Sequence, residues 1–209
     1  MKLYFAPGAC SLSPHIALLE AKLPFTAVKV STKTKLMEDG GDFRTVNPKG
    51  YVPVLELDNG VRLTEGPAIV QYIADQAPAS GLAPANGTLP RYQLQEWLNF
   101  ITSEIHKQFS PLFYPTTPDE VKQQQRDKLA TRFDWIEPQL TGKDYLMGST
   151  FTVADAYLFT VLNWAKPTGI DLARWPGLQR FMTTVAARPS VQAAMMAEGL
   201  IRPHREVAH

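Results

Sequence analysis

The sequence predicts an α/β domain at the N-terminus and an all-helical domain at the C-terminus. Over residues 1–77, short β-favouring runs alternate with amphipathic helical runs, which is the order of one compact α/β unit. Past residue 90, helical periodicity dominates. Residues 78–90 in between are rich in Pro, Gly and Ala, which predicts a linker. We therefore place the helical domain at residues 91–201 and a tail at residues 202–209.

The opening segment predicts a βαβ unit. Residues 2–6 form the first strand, and residues 11–21 carry the apolar spacing of an amphipathic helix. Residues 25–30 form a second strand, which is parallel to the first because a helix connects them. A short helix is predicted over residues 42–46. Lys35 lies in the polar segment before it and is typical of solvated surface.

Cys10 lies where the first strand passes into the helix. The partial positive charge of a helix N-terminus stabilises a thiolate, so this position predicts a nucleophilic thiol with a lowered pKa. A cysteine that only fills space in the core is the alternative. Ser13 stands where a second redox cysteine would be. Thiol chemistry at Cys10 is therefore predicted to stop at a mixed disulfide with a small partner.

A hairpin is predicted in the middle of the N-terminal domain. Residues 54–57 and 61–63 are β-favouring runs on either side of Asp58-Asn59-Gly60, a sequence that favours a tight turn. Pro53 cannot donate to a sheet ladder and therefore opens its strand, which leaves the backbone of Val52 free for a partner such as a bound peptide. The sequence leaves both a cis and an ordinary trans Val52–Pro53 bond open.

A helix with a candidate binding site at its N-terminus follows the hairpin. Pro67 suits a first helical turn, and an apolar helical run comes after it. Free N–H groups beside Gly66 form a natural carboxylate site. Glu65 next to them can hold an ammonium group, so the pair suits the zwitterionic end of an amino acid. The alternative is that Glu65 only complements the helix dipole.

The helical domain opens with a predicted long amphipathic helix. On a separate stripe from its apolar residues, Asn99, Ser103 and His106 follow three- and four-residue steps, so they are predicted to share a polar side. The apolar residues that define the core stripe are Leu94, Trp97, Leu98, Ile101, Ile105, Phe109 and Leu112.

Further helices are predicted over residues 123–140, over residues 156–165 and beyond Phe181. Thr152 and Asp155 form a capping box before the second of these, which is a folding signal and not a catalytic pair. Four aromatic residues of this domain either line an apolar substrate pocket or belong to its core, namely Phe109, Phe113, Tyr114 and Trp164.

Composition excludes several classes of protein. The chain has 209 residues, of which 44% are hydrophobic and 20% charged, as in globular proteins. A net charge of +1 gives no electrostatic case for binding nucleic acid or an anionic membrane. The single cysteine excludes an intrachain disulfide and a cysteine-based zinc cluster, and no metal site is predicted. Neither a signal peptide nor an apolar run of ~18 residues is recognisable, so we expect a cytoplasmic protein.

Four motifs in sequential order resemble those of a known family. They are Cys10 after the first strand, Asn47-Pro48-Lys49-Gly50-x-Val52-Pro53, Leu63-Thr64-Glu65-Gly66 and Ile69-x-x-Tyr72-Ile73-Ala74. From residue 1 to about residue 201, the chain resembles bacterial glutathione S-transferases of the cysteine-containing beta class. The resemblance implies a thioredoxin-like N-terminal domain and a homodimer. It also implies glutathione between the two domains, as a co-substrate and with no cofactor.

The resemblance assigns roles to residues of the N-terminal domain. It implies that the Val52 backbone pairs with the cysteinyl part of glutathione beside a cis Pro53. Glu65 and Gly66 are expected at the γ-glutamyl end, and Lys35 at the glycyl carboxylate. Many relatives have Ser or Asp at the position of Gly66. A side-chain hydrogen bond worth about 1 kcal/mol is therefore absent, and weaker glutathione binding is expected.

Residues of the helical domain receive roles in the same way. The resemblance implies that His106 lies near Cys10 and the glutathione sulfur, where it donates a hydrogen bond to the thiolate or tunes its pKa. Lys107 is expected to help. Asn99 and Glu104 match residues that approach glutathione bound to the partner subunit.

Three activities remain open at the level of the sequence. The first is conjugation of glutathione to apolar electrophiles, in which the protein stabilises the glutathione thiolate and Cys10 is a neighbour. The second is thiol exchange through a mixed disulfide between Cys10 and glutathione, in which Cys10 attacks and is attacked. The third is non-catalytic carriage of apolar ligands between the domains.

Overall fold

The computed structural model describes residues 1–202, and residues 203–209, which form most of the predicted tail, lie outside the described part. Its N-terminal half contains a four-stranded sheet that consists of β1 (Lys2–Phe5), β2 (Thr26–Lys29), β3 (Val54–Glu56) and β4 (Arg62–Thr64). The strand order is β2-β1-β3-β4. β1 pairs with β2 in parallel, whereas β1 with β3 and β3 with β4 are antiparallel. The predicted βαβ unit and hairpin are therefore confirmed.

Within residues 1–202, the α-helices are α1 (Leu12–Glu20), α2 (Gly66–Gln76), α3 (Leu89–Phe100), α4 (Lys107–Phe109), α5 (Asp119–Gln139), α6 (Val153–Leu162), α7 (Pro176–Ala186) and α8 (Pro189–Ala197). α5 begins earlier than predicted because Asp119 and Glu120 place favourable negative charge in its first turn. The helix predicted over residues 42–46 is a single 3₁₀ turn, Phe43–Thr45, whose first turn is capped by the Asp42 carboxylate. None of these helices combines the length and the hydrophobicity that a bilayer-crossing segment requires.

One hydrophobic core connects the sheet with the helical half. Leu3 and Leu55 of the sheet belong to the same fully buried cluster as Ile16 of α1, Ile73 of α2 and Leu158 of α6. α1 packs closely against both α6 and α8. The two halves of the chain therefore pack against each other through one continuous core. A smaller hydrophobic cluster lies apart from this core and consists of Tyr4, Val30, Phe43, Val46 and Val54.

α6 is the buried axis of the helical half, since every residue from Val153 to Leu162 is buried. The Asp155 carboxylate before its second turn accepts the N–H of Thr152 at 2.8 Å and the Thr152 hydroxyl at 3.0 Å. It also accepts the N–H of Leu146 at 2.8 Å. The predicted capping box is confirmed.

The prediction of one regular helix from α3 onwards is wrong in its middle. A π-helical segment, Ile101–His106, separates α3 from α4, and a 3₁₀ turn, Ser110–Phe113, ends the element. The Thr102 and Ser103 hydroxyls donate to the carbonyls of Leu98 and Asn99 at 2.8 and 3.1 Å. Such side-chain bonds compete with the backbone ladder and favour a wider turn.

Candidate functional site

The loop between β1 and α1 brings Cys10 to the start of β3. The Cys10 thiol donates to the carbonyl oxygen of Val52 at 3.3 Å. The Val52–Pro53 bond is cis, as the resemblance implies. The N–H of Val52 has no hydrogen-bond partner within residues 1–202. A single contact thus joins the predicted nucleophile to the backbone predicted to pair with a peptide.

The expectation of a lowered pKa at Cys10 is wrong for this structure. Burial of the sulfur raises the pKa of the thiol to about 11, so it is protonated at neutral pH. The backbone N–H groups of Cys10 and Ser11 and the charge of Lys107 lower this pKa, but they do not outweigh burial. The N–H of Leu12, the first residue of α1, donates to the carbonyl of Ala9.

His106 ends the π-helical segment and packs against α6. Its Nδ1 lies 2.6 Å from the hydroxyl of Tyr157. Its ring meets that of Trp164 nearly edge-to-face, with 5.0 Å between the ring centroids. Burial, with a smaller contribution from the Lys107 charge, lowers the pKa of His106 to about 4. The imidazole is therefore neutral at pH 7.

The hydrogen bond with Tyr157 selects one tautomer of His106. Burial raises the pKa of the Tyr157 hydroxyl above its ordinary value, so this group keeps its proton. Because a neutral imidazole nitrogen accepts better than a phenol oxygen, Tyr157 donates to Nδ1, and the His106 proton resides on Nε2. Thr102, 3.4 Å from the Tyr157 oxygen, gives its own proton to the Leu98 carbonyl. His106 thus offers a neutral N–H donor.

Aromatic rings form a wall next to His106. Trp164 meets Phe113 nearly edge-to-face with 5.6 Å between centroids, and Phe113 is 50% exposed. Tyr114 is also exposed. Phe109 is fully buried behind Trp164, so it supports the wall and does not face a substrate. For Phe109, the structure therefore favours the core alternative.

The N-terminus of α2 presents Glu65 and Gly66. Glu65 adopts a φ of 69°, a strained value for a non-glycine residue that is frequent at ligand-binding positions. Its carboxylate accepts the Lys49 ammonium at 2.5 Å, and the same ammonium lies 3.2 Å from the Thr64 hydroxyl. The N–H of Gly66 has no partner within residues 1–202, and Pro67 has none to offer. A carboxylate and a free N–H therefore stand side by side.

Lys35 lies beside the loop that leads into Val52. Its φ is 61°, and its ammonium is 5.8 Å from the centroid of the Tyr51 ring. Its side chain passes close to Gly50. A positive charge is thus available beside Gly50 and Tyr51, the two residues that precede Val52.

The structure does not bring Asn99 and Glu104 into contact with the residues above. Asn99 is exposed on α3, and its carbonyl accepts the Ser103 hydroxyl. Glu104 binds Arg132 of α5 at 2.6 Å within the same chain. His106, predicted on the same polar side, is half-buried, because the π-helical segment changes the spacing that a regular helix would give.

Comparison with known proteins places this geometry in a family. Models of the glutathione S-transferase N-terminal and C-terminal domains match residues 8–76 and 100–189. Glutathione S-transferase GstA of Escherichia coli O157:H7 is 46% identical over 200 residues, which cover 96% of this chain and 100% of GstA. The chain belongs to the glutathione S-transferase family.

Solved glutathione S-transferase structures agree with the assignment. The ternary complex of BphK, a bacterial GST, has a TM-score of 0.94 and 56% identity, covering 95% of this chain and 100% of that one. A bacterial beta-class glutathione S-transferase from Sphingomonas chungbukensis has a TM-score of 0.93 and 50% identity, covering 96% and 100%. The thioredoxin-like and helical fold and the bacterial beta class are therefore confirmed. The full-length relatives establish a glutathione transferase enzyme, and the carrier alternative is not favoured.

Sequence reasoning about this transferase missed two residues of the site. Lys49 is part of a quoted motif but has no predicted role, although its charge is opposite to that of Glu65. Tyr157 falls within the apolar run that predicts α6. A hydroxyl in a fully buried helix requires a partner, and that requirement is the signal that could have found it. Residues 1–202 contain no group of three or more His, Cys, Asp or Glu arranged to hold a metal ion.

Proposed function

We propose that this transferase binds the cysteinyl part of glutathione at the Val52 backbone and conjugates the glutathione sulfur to an apolar electrophile. The observation that carries the proposal is the contact between Cys10 and the Val52 carbonyl, beside a Val52 N–H that has no partner within residues 1–202. These groups supply one acceptor and one donor, which is what an extended peptide requires. No cofactor is needed, since glutathione serves as the co-substrate.

The two charged ends of glutathione have candidate partners on either side of Val52. In this proposal the γ-glutamyl ammonium replaces the Lys49 ammonium at Glu65. The γ-glutamyl carboxylate accepts a hydrogen bond from the Gly66 N–H at the start of α2. The glycyl carboxylate pairs with Lys35. Both carboxylates then face positive charge or N–H donors.

His106 and the aromatic wall serve the chemical step in this proposal. The Nε2–H of neutral His106 donates to the glutathione sulfur and stabilises its thiolate as it attacks. Tyr157 holds the imidazole in the tautomer that this requires. Phe113 and Trp164 bind the apolar part of the electrophile beside the thiolate.

Thiol exchange is a second candidate reaction, favoured by the single free Cys10 against the Val52 backbone. The Cys10 thiol first loses its proton to solvent, and the thiolate attacks the glutathione sulfur of a mixed disulfide between glutathione and another thiol. That S–S bond breaks and the other thiolate leaves, so that Cys10 then carries glutathione in a mixed disulfide of its own. A second glutathione then attacks the mixed disulfide and restores Cys10. Ser13 cannot perform this second step, so an external thiol is required.

Gly66→Ser is expected to lower the KM for glutathione about fivefold, because its hydroxyl adds a hydrogen bond worth about 1 kcal/mol to the γ-glutamyl carboxylate. Nothing lies within 4 Å of a Cβ added at Gly66, and its φ is outside the left-handed region. The variant is therefore free of clash and strain. Steady-state kinetics with varied glutathione measure the change.

Gly66→Ala is the matched control, since it adds the same Cβ without the hydroxyl. Its KM is expected to stay within about twofold of the parent value. Glu65→Gln should raise KM by about tenfold through loss of a charged partner. Equal KM values for Gly66→Ser and Gly66→Ala would contradict a γ-glutamyl site at the start of α2.

We also propose that the enzyme is a cytoplasmic homodimer in which Asn99 and Glu104 approach glutathione of the partner subunit. The aromatic cluster of Trp97, Phe100 and Trp135 on α3 and α5 supports an interface, since Trp135 is 49% exposed. Sedimentation equilibrium at micromolar concentration should give about twice the chain mass of 23.3 kDa. A purely monomeric protein would remove these roles of Asn99 and Glu104.

A further inference from the structure

Gly8 lies two residues before Cys10 in the loop that follows β1. Its φ of 70° is in the region that favours glycine. Its N–H donates to Glu198 Oε2 at 2.9 Å, and its carbonyl accepts the indole N–H of Trp164 at 2.8 Å. Two side chains from the helical half therefore hold both hydrogen-bonding groups of one residue in this loop.

Glu198 follows α8 and reaches the loop from a fully buried position. Its side chain is 0% exposed, and Oε1 lies 2.9 Å from Nδ1 of His15 on α1. The His15 ring lies near those of Phe5 and Phe25, with 5.5 Å between centroids in each case. One carboxylate thus connects Gly8, two residues before Cys10, with the helix α1 that follows Cys10. Charge-assisted hydrogen bonds of this kind are among the strong ones in proteins.

Trp164 connects the same loop with the wall of the site. Its indole N–H binds the Gly8 carbonyl, while its ring packs against His106. The position of the Cys10 loop and that of the imidazole are therefore fixed by the same side chain. A shift of the loop would change the distance between Cys10 and both Val52 and His106.

We propose that Glu198 and Trp164 are positioning residues that hold the loop of Cys10 in place by binding the two sides of Gly8. Neither hydrogen bond requires contact with substrate. The functional meaning of this arrangement rests on the proposed role of Cys10 in thiol exchange. The test of the arrangement does not depend on that role, because it measures the reactivity of the Cys10 thiol in the absence of glutathione.

Alkylation by iodoacetamide reports on the loop directly, because Cys10 is the single cysteine of the chain. Releasing Gly8 is expected to expose the sulfur to water, so that the pKa of Cys10 falls from about 11 towards its ordinary value. A fall of one pKa unit makes alkylation at about pH 8 roughly tenfold faster. A substitution that only destabilises the fold lowers the melting temperature without changing alkylation well below that temperature.

Trp164→Phe removes the indole N–H and keeps an aromatic ring beside His106. Alkylation of this variant is expected to be about tenfold faster than in the parent. Trp175→Phe is the matched control, since Trp175 donates an equivalent bond to Asp134 at 2.8 Å on another part of the helical half. Its alkylation rate should equal that of the parent.

Glu198→Ala frees the Gly8 N–H and is expected to give a similar, about tenfold, acceleration. Glu198→Gln is the conservative variant: its amide oxygen can accept the Gly8 N–H while its amide nitrogen donates to His15. It should restore alkylation to within about twofold of the parent. Glu137→Ala serves as the control, because Glu137 accepts the backbone N–H groups of Gly177 and Leu178 in α7.

Unchanged alkylation in Trp164→Phe and Glu198→Ala would overturn the proposal. So would acceleration in Trp164→Phe alone, since the effect would then belong to the wall beside His106. If Glu198→Ala does not fold, amide hydrogen exchange of the Gly8 loop in Trp164→Phe decides: faster exchange supports the proposal, and exchange at the parent rate refutes it. A parent enzyme without thiol exchange would refute that proposed reaction and leave the alkylation result intact.

Discussion

Replacing Cys10 with alanine is expected to abolish thiol–disulfide exchange and to leave glutathione conjugation within about threefold of the parent. Exchange requires a protein sulfur, and Cys10 is the only cysteine. Conjugation requires the thiolate of glutathione, which His106 is proposed to stabilise. The Cys10 thiol, with its pKa raised to about 11 by burial, carries no charge that opposes that thiolate. Conjugation to a chloronitrobenzene and reduction of a mixed disulfide, assayed in parallel, measure the two effects.

Ser13→Ala is the matched control for Cys10→Ala. Ser13 lies in the first turn of α1, is 2% exposed, and its hydroxyl has no hydrogen-bond partner within residues 1–202. Its removal is expected to leave both activities unchanged. Retained disulfide reduction in Cys10→Ala would contradict the exchange mechanism. Loss of conjugation in a folded variant that still binds glutathione would make Cys10, and not only His106, responsible for activating the substrate thiol.

Asp155→Ala is expected to lower the free energy of unfolding by about 3 kcal/mol or more, because it leaves three buried donors without an acceptor. These donors are the N–H of Leu146 and the N–H and hydroxyl of Thr152. Urea unfolding followed by circular dichroism measures the loss. Asp171→Ala is the control, since Asp171 caps an exposed 3₁₀ turn through the N–H of Ala173. Its cost should stay near 1 kcal/mol, about that of a lost cap.

The same residue predicts a pH dependence of stability. Burial raises the pKa of Asp155 from 3.8 to about 6 in the folded chain. Between these values the folded chain binds the proton more tightly than the unfolded chain does. The contribution of Asp155 to the free energy of unfolding is therefore most favourable below about pH 4 and declines as the pH rises through about 6. Asp155→Asn does not titrate. The stability of the parent relative to Asp155→Asn should therefore fall between about pH 4 and pH 6, and a constant difference would contradict the raised pKa.

Elements whose conformation depends on residues close together in the chain could be predicted from the sequence. The turn Asp58-Asn59-Gly60 defines its hairpin through backbone conformations that these residues tolerate. Thr152 and Asp155 form their capping box because three residues separate them. The site residues Cys10 and Val52 could be found because each lies at the end of a recognisable strand or helix.

The chemistry of the site depends on contacts that no local pattern encodes. His106 meets Tyr157 across 51 residues, and Gly8 meets Glu198 across 190. The position of Cys10 at a helix N-terminus predicts a lowered pKa, but burial of the sulfur, which contacts the carbonyl of Val52 across 42 residues, raises it. The π-helical segment before His106 follows from hydroxyl groups that periodicity alone does not distinguish from other polar residues.

The hydrophobic core that runs without interruption from the sheet to α6 limits which substitutions this enzyme can accept. Because Ile16 of α1 and Leu158 of α6 belong to the same cluster, a change of volume on either helix must be matched on the other. A chimera that joins the N-terminal half of one transferase to the helical half of another therefore replaces one side of a packed surface. The residues proposed to bind glutathione and those proposed to bind the electrophile therefore lie mainly in different halves of the sequence, although both halves contribute to one core.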